Sequence, residues 1–424
     1  MLLSWKNSIA KSPLVQNIVS LGTLQFLNYI IPFITFPYVV RVLGPEKFGL
    51  VNFASAFVAY FNLITDYGFN LSATRDIAIN KDDKVRISEI VCAVFLIKLI
   101  LFFISLMIFS SVLISFEKFR SDPAIYLVNL TTLLGLTFTP VWFFLGVEKM
   151  KLITIPTLIV RSATTALVFL LIKSATDYII YALLNGIGFI LIGIIALIIM
   201  RFNIGIRFVV PELKEIRYQA KESGILFIST FSISLYTISN TFILGLFAPL
   251  NVVGYFAGAD KIRAAVQNLL APLTQAIYPH ISRLFLESKP EALSYLRRVF
   301  RTAGLFSASC SLLLFLLAKP IVFLILGNRY YNSILVLRII AFLPTIIFLS
   351  NLLGIQGMIN LGFKKNFTRI IVLASVVNLI LSFTLVPRYF EIGTAFAVLI
   401  TELVVTSSMI VFMARRGMNF ISFN

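Results

Sequence analysis

Three ionisable residues, Asp260, Lys261 and Arg263, stand near the start of a hydrophobic segment at 254–282. The segment is long enough to cross a membrane, because about 20 predominantly apolar residues span a bilayer as a helix. A charged residue at the centre of a spanning helix costs about 2.5–3.5 kcal/mol, so such residues usually face a protein interior or a water-filled cavity. At 100° per residue, the polar side chains fall within an arc of about 160°. The spacing predicts one polar face, which holds Asp260, Lys261, Arg263, Gln267, Asn268, Thr274, Gln275 and Tyr278.

This amphipathic segment has two alternative interpretations. In the first, the whole helix lies in the membrane surface. In the second, the helix spans the membrane and only Lys261 and Arg263 snorkel to the surface. A surface helix would leave an odd number of crossings, and snorkelling leaves the polar positions beyond Arg263 unexplained. We therefore favour the wall of a polar cavity. Basic groups outnumber acidic ones inside the predicted spans, which suits an anion, and arginine offers a fork that matches phosphate.

Other hydrophobic segments also carry polar residues. Small polar residues help helices to pack, so part of this pattern has a purely structural interpretation. Lys98 and Arg338 stand apart from any polar stripe, and we interpret them as paired or snorkelling residues. The candidates for a substrate pathway are Asp260, Lys261, Arg263, Gln267, Asn240, Tyr236, Arg161, Gln25 and Asn28. The candidates for ion coupling are Asp260 and Glu402.

Motifs of enzymatic or metal chemistry are not found in the sequence. Cys92 and Cys310 stand alone inside apolar runs, so neither a disulfide nor a metal site is expected. The single histidine, His280, stands beside a predicted helix end, and we expect a structural role because catalysis by histidine usually needs a partner base or nucleophile. There is no Walker loop, no HExxH and no nucleophile elbow. The sequence predicts no catalytic residue and no cofactor, and hence a protein that is not an enzyme.

The composition indicates that the helices that position these residues belong to a membrane protein. Of the 424 residues, 59% are hydrophobic and only 13% are charged, against about 45–50% and about 25% in soluble domains. The sequence predicts an all-α integral membrane protein with about twelve transmembrane helices. The predicted spans are 14–40, 48–69, 88–115, 123–146, 152–172, 177–200, 219–247, 254–282, 299–318, 332–358, 367–386 and 392–414.

The distribution of basic residues predicts the orientation of these spans. With the N-terminus inside, 23 of the 36 lysines and arginines fall in inside segments and 8 in outside loops. This is the positive-inside pattern, and it predicts that both termini are cytoplasmic. The net charge of +18 is then a consequence of topology, and we expect no nucleic-acid partner.

The two halves of the chain share a weak similarity. The midpoint loop at about 201–218 divides the spans six and six, which predicts an N-terminal lobe at 1–210 and a C-terminal lobe at 211–424. "LGPEKFGLVNFASA" at 43–56 and "FAPLNVVGYFAGA" at 247–259 each contain a proline, a later glycine and then small residues. They occupy equivalent places, which is typical of parallel repeats related by an axis along the membrane normal.

The segments at 42–78 and 234–279 resemble one known family. "VLGPEKFGLVNFASAFVAYFNLITDYGFNLSATRDIA" and "SLYTISNTFILGLFAPLNVVGYFAGADKIRAAVQNLLAPLTQAIYP" are similar to Wzx-type O-antigen flippases. These form the polysaccharide transporter branch of the multidrug/oligosaccharidyl-lipid/polysaccharide (MOP) exporter superfamily, and the resemblance spans most of the chain.

The resemblance implies a function and a location. Such proteins move undecaprenyl-pyrophosphate-linked oligosaccharide repeat units from the cytoplasmic to the periplasmic leaflet of the bacterial inner membrane. Two six-helix lobes form a V around a central cationic cavity lined by the first, second, seventh and eighth helices, and access alternates. Membrane lipid holds the lipid tail, and an O-antigen polymerase and a chain-length regulator are the implied protein partners.

Two other classes of protein remain as alternatives. A MOP-type multidrug exporter or another lipid-linked precursor exporter would share the fold, but drug exporters commonly use an acidic residue for ion coupling, and the first helix has none between Lys11 and Glu46. A membrane polymerase or an assembly scaffold would need larger external loops than the sequence provides.

Overall fold

The computed structural model describes residues 13–418 and residue 420. Within this range, side chains are described from residue 33 onward, apart from 225, 228–230, 232, 233, 235–237, 271, 272, 275, 276 and 279.

The first half of the described chain is a series of helices joined by short turns. Pro123 and Lys151 begin two of them, and the last helix ends in a π-helical turn, Ile199–Ile204. The helices are α1 Pro13–Asp66, α2 Phe69–Ile79, α3 Lys84–Ser115, α4 Glu117–Arg120, α5 Pro123–Phe138, α6 Val141–Gly146, α7 Lys151–Leu171 and α8 Tyr178–Ile198.

The second half continues in the same way. A π-helical stretch, Leu352–Ile359, extends α14 toward the turn that precedes α15. The helices are α9 Leu213–Phe247, α10 Leu250–Glu287, α11 Lys289–Leu316, α12 Ala318–Ile325, α13 Ser333–Ile340, α14 Leu343–Asn351 and α15 Lys364–Ala414.

The twelve predicted spans coincide largely with these helices, but the boundaries differ. The spans at 123–146 and 332–358 each contain a turn, at 139–140 and at 341–342, and the span at 48–69 runs past the end of α1. α1 and α15 each contain two predicted spans, separated by a break at Gly44 (φ 68°) and at Phe390 (φ 46°). Gly44 can adopt this left-handed conformation because it has no Cβ. α11 begins ten residues before the predicted span at 299, because hydropathy marks only the apolar part of a helix whose polar turns extend further.

The apolar surface of the helices fits a bilayer. Eight helical segments in the described part of the chain are long and apolar enough to cross a membrane. Large apolar side chains such as Met107, Leu170 and Leu324 are 74%, 67% and 76% exposed. Contiguous exposed apolar surface of this kind marks contact with lipid or protein. The prediction of an all-helical membrane protein with several apolar spans is confirmed, while the count of twelve and the two six-helix lobes stay predictions.

The chain folds into two compact units, and each has its own hydrophobic core. Unit 1 comprises 1–43 and 54–231, and unit 2 comprises 44–53 and 232–424. Trp142, Phe143 and Phe144 lie at the centre of the unit 1 core and are at most 1% exposed. Phe348, Leu353 and Met409 lie in the unit 2 core. Unit 2 therefore takes ten residues from the first half of the sequence, and unit 1 takes the beginning of α9.

The beginning of α9 is held in unit 1 by a set of charged and polar residues, which we call the ionic cluster. Its members are Arg75, Asp76, Arg86, Glu215, Gln219 and Glu222. The Nη2 of Arg86 lies 2.6 Å from Oε2 of Glu215, and the Nε2 of Gln219 donates to both Asp76 (3.1 Å) and Glu215 (2.9 Å). These contacts fix α9 against α2 and α3.

Residues 44–53 are held in unit 2 by a close backbone contact, which we call the glycine crossing. A Cβ atom on Gly49 would overlap the carbonyl oxygen of Leu250, and one on Gly254 would overlap the carbonyl oxygen of Pro45. Each glycine therefore packs against the other segment. These are the two segments whose sequences resemble each other, and the close approach requires residues without a side chain at both positions.

Candidate functional sites

The charged face of α10 forms a connected group in unit 2. The Nε of Arg263 lies 2.7 Å from Oδ1 of Asp260, and its Nη1 donates a hydrogen bond to Oε1 of Gln267. These residues follow one another at intervals of three and four, so they share a helix face. The Arg263 side chain is only 14% exposed, against 38% for Asp260. The guanidinium is thus oriented by two neighbours on its own helix.

A second acidic residue approaches this group from α15. Glu402 is buried, with 8% exposure, and it interacts electrostatically with Arg263. Charges inside a membrane protein usually pair with one another. Asp260 and Glu402, the two residues predicted from the sequence as candidates for ion coupling, both interact with Arg263, but only Asp260 lies within ion-pair distance of it.

Lys261 has a different environment from its neighbours on α10. Its Nζ lies 5.0 Å from the centroid of the Phe48 ring, a cation–π contact. Phe48 belongs to the segment 44–53 and is 1% exposed. Lys261 is thus placed beside the glycine crossing, and the structure brings together Asp260, Arg263 and Gln267 on the adjoining face.

Asn240 belongs to a polar cluster in the interior of unit 2. The Nδ2 of Asn378 lies 3.4 Å from Oδ1 of Asn240 and 3.2 Å from Oγ1 of Thr401. All three residues are buried. Buried amides and hydroxyls are normally hydrogen-bonded, and Thr401 is adjacent in sequence to Glu402. Asn240 is therefore an interior polar residue, and its place in the substrate pathway stays a prediction.

Arg161 lies in unit 1, in a cavity of about 400 Å³. Its Cζ is 4.2 Å from the centroid of the Phe189 ring. Its Nε is buried and has no hydrogen-bond partner in the part of the chain that the structure describes. The polar residues that line the cavity are Asn62, Asp66, Asn70, Lys98, Thr139, Thr157 and Arg161.

Asp66 and Lys98 form an ion pair in the same cavity. Lys98 Nζ lies 3.7 Å from Oδ1 of Asp66, and its side chain is only 3% exposed. Both carboxylate oxygens of Asp66 accept hydrogen bonds from the amide of Asn70, at 2.9 and 2.8 Å. With Arg161, the three ionisable groups carry a net charge of +1, so the cavity favours an anion.

The sequence did not predict that these residues line one cavity. It places Arg161 in the predicted substrate pathway and indicates that Lys98 is either a paired or a snorkelling residue, and the structure shows that Lys98 is paired with Asp66. A signal was available for Asn62 and Asp66, which stand four residues apart in one predicted span and so share one side of its helix. The side chains of Gln25, Asn28 and Tyr236 lie outside the described residues.

The remaining polar residues have structural contacts. The His280 ring lies edge-on to Tyr295, with centroids 4.9 Å apart. The Arg338 guanidinium lies 6.0 Å from the Phe315 centroid. Among the residues that the structure describes, no group of three or more His, Cys, Asp or Glu side chains could hold a metal ion.

Solved structures with this fold are membrane transporters. The chain superposes on "Lipid II flippase MurJ, inward closed conformation" with a TM-score of 0.70, covering 94% of this chain and 87% of that one at 14% identity. It superposes on an inward-facing multidrug resistance MATE family transporter of the MOP superfamily with a TM-score of 0.72, covering 94% and 98% at 14% identity. At this identity the similarity establishes the fold alone. That fold is an all-helical membrane fold, which this chain shares with the two transporters.

The sequence comparisons identify the family. The model described as "Polysaccharide biosynthesis protein" matches residues 14–285. A protein of Escherichia coli (strain K12), named "Putative O-antigen transporter", is 36% identical over 95% of this chain and 97% of its own length. A protein of the same name from Shigella dysenteriae is 32% identical over 93% of this chain and 98% of its own length. The chain belongs to the polysaccharide biosynthesis protein family.

Proposed function

We propose that the protein is a flippase for undecaprenyl-pyrophosphate-linked O-antigen repeat units. It would move them from the cytoplasmic to the periplasmic leaflet of a bacterial inner membrane by alternating access, with both of its termini in the cytoplasm. The similarity to two O-antigen transporters over more than nine-tenths of the chain supports this substrate class. The inferred protein partners are an O-antigen polymerase and a chain-length regulator.

The Arg263 group is the observation that carries the proposal. A guanidinium that is 14% exposed and oriented by Asp260 and Gln267 presents a planar fork of donors, which matches a phosphate oxygen pair. In this role Arg263 contacts the pyrophosphate or a sugar of the headgroup, while the lipid tail stays in the bilayer. Asp260 and Glu402 balance its charge when no substrate is bound, and either is a candidate for carrying a coupling ion.

Deletion of the gene in a bacterium with smooth lipopolysaccharide tests the function. We expect loss of surface O-antigen and accumulation of lipid-linked repeat units in the inner leaflet. Surface O-antigen that persists without such accumulation would contradict the flippase proposal. If instead the deletion strain becomes sensitive to cationic drugs and keeps its O-antigen, the alternative of a multidrug exporter is correct.

Substitution of Arg263 tests the site. Arg263→Ala is expected to reduce transport at least tenfold in the deletion strain, because about 1.5–3 kcal/mol is typical of a hydrogen bond to a charged group. Arg263→Lys should restore part of the activity, since it keeps the charge and loses the fork. Arg338→Ala is the control, because it removes an arginine from another helix, α13, where the guanidinium contacts the Phe315 ring. Full transport by a normally inserted Arg263→Ala protein would overturn the anion-contact role.

A further inference from the structure

A second basic site lies in unit 1, at the ends of spanning helices. It is a groove of about 760 Å³ formed by the turn before α3, the turn before α7 and the end of the π-helical stretch after α8. Its charged lining consists of Lys81, Asp82, Lys84, Glu148, Lys149 and Lys151. Four lysines and two acids leave a net charge of +2.

Most of this positive charge is not neutralised by the protein. Lys81 lies 3.9 Å from Glu148, and both side chains are about half exposed, 53% and 52%. In the described chain, Lys84, Lys149 and Lys151 have no carboxylate oxygen within 4.0 Å. Like charges that converge in this way repel one another and raise the local concentration of anions.

The backbone adds to the positive potential. Lys151 is the first residue of the 21-residue helix α7, and Met150 before it provides no side-chain cap. The N-terminus of such a helix carries about half a positive charge, which favours an anion. The N-terminus of α3 differs, because its backbone N–H groups at Val85 and Arg86 already donate hydrogen bonds to the carboxylate of Asp83.

Apolar surface borders the groove on the same turns. Ile79, Val85 and Phe202 are 73%, 72% and 79% exposed, and each lies within two residues of a groove residue. The groove floor is apolar as well, with Ile87, Ile204 and Ile206 buried. A ligand that is complementary to both the basic lining and the apolar surface has an anionic head and a hydrocarbon portion.

We propose that this groove binds the phosphate headgroup of an anionic membrane lipid, with the lipid chains against the exposed apolar side chains. Basic pockets between membrane helices on the cytoplasmic side bind such headgroups, and the basic-residue distribution predicts that this end is cytoplasmic. Two lipids offer this chemistry, a bulk phospholipid such as phosphatidylglycerol and a polyprenyl diphosphate. The inference concerns binding alone and holds whether or not the chain transports O-antigen.

The test is a binding titration of the purified full-length protein in neutral detergent, followed by native mass spectrometry. The probes are phosphatidylglycerol, a polyprenyl diphosphate, phosphatidylcholine and inorganic phosphate. The wild type is expected to bind phosphatidylglycerol, polyprenyl diphosphate or both. Because the proposed Arg263 site also takes a polyprenyl diphosphate, the lipid whose binding falls more when the groove lysines are replaced is the natural source. Binding of phosphatidylcholine with equal affinity would overturn the proposal, as would full competition by inorganic phosphate at matched concentration.

Paired variants locate the site. Lys149→Gln/Lys151→Gln is expected to weaken lipid binding about 25-fold, because a basic residue near an anionic lipid surface contributes about fivefold. Lys149→Arg/Lys151→Arg should bind like the wild type. The control is Lys364→Gln/Lys365→Gln, which removes two exposed lysines from the first turn of α15, and it should not change the affinity. Equal affinities of the wild type and the Lys149→Gln/Lys151→Gln variant would overturn the assignment.

Discussion

The ionic cluster and the glycine crossing solve the same structural problem by opposite means. Each joins a segment from the first half of the sequence to one from the second half, inside a single compact unit. The ionic cluster does so with hydrogen bonds between side chains such as Gln219 and Asp76. The glycine crossing does so by removing side chains altogether, so that backbone packs on backbone at Gly49 and Gly254.

The two contacts differ in what they tolerate. Charged side chains can exchange their partners for water, so an ion pair that is partly exposed contributes little to stability. A close-packed contact has no such alternative, because any added atom must displace the backbone. The comparison therefore predicts that stability is far more sensitive to substitution in the glycine crossing than in the outer part of the ionic cluster.

The largest effect is expected at the glycine crossing. Gly49→Ala would place a Cβ atom on the Leu250 carbonyl oxygen, and we expect a loss of about 3 kcal/mol through overpacking. The measurement is the midpoint of thermal unfolding in one detergent. Gly357→Ala is the control, because its Cβ would meet the Leu296 side chain at an ordinary 3.4 Å. An unchanged midpoint for Gly49→Ala would show that the crossing is looser than described.

An intermediate effect is expected in the buried part of the ionic cluster. Gln219 is fully buried and separates the carboxylates of Asp76 and Glu215. Gln219→Leu keeps much of the volume but removes the shared donor, so we expect a loss of about 1–3 kcal/mol. The same unfolding measurement applies. A loss of stability of at most about 1 kcal/mol, as for an exposed ion pair, would contradict this expectation. It would mean that Arg75 and Arg86 neutralise Asp76 and Glu215 without Gln219.

The smallest effect is expected at the exposed edge of the cluster. Arg75 and Glu222 are 3.1 Å apart, with side chains 47% and 34% exposed. Glu222→Gln should cost at most about 1 kcal/mol, and the loss should shrink as salt is raised, because salt screens exposed charges. The deficit of Gly49→Ala should stay constant in the same salt series. A deficit of Gly49→Ala that shrinks in parallel would contradict the distinction between the two contacts.

Hydropathy was sufficient to predict the helices, and the resemblance of the segments at 42–78 and 234–279 predicted the family. The predicted spans are largely helical, because a run of about 20 apolar residues in a bilayer has few alternatives to a helix. The polar face of α10 was also predictable, since Asp260, Arg263 and Gln267 share one side at helical spacing.

Contacts between distant parts of the sequence were not predictable. The cavity around Arg161 depends on Asp66 from α1 and Lys98 from α3, and helical periodicity orders residues within one helix only. The similarity of the segments at 43–56 and 247–259 was visible, but its physical reason was not. Only the structure shows that Gly49 and Gly254 pack against each other's segments.

The allocation of residues 44–53 to unit 2 and of the start of α9 to unit 1 also constrains how genes of this family can recombine. A crossover within the midpoint loop would join two halves from different parents. Gly49 would then meet a foreign Leu250, and Asp76 would meet a foreign Gln219. Hybrids made at that position should fold only when both parents carry matching residues in both contacts. The midpoint loop, although it divides the sequence into two halves, is therefore an unfavourable crossover point.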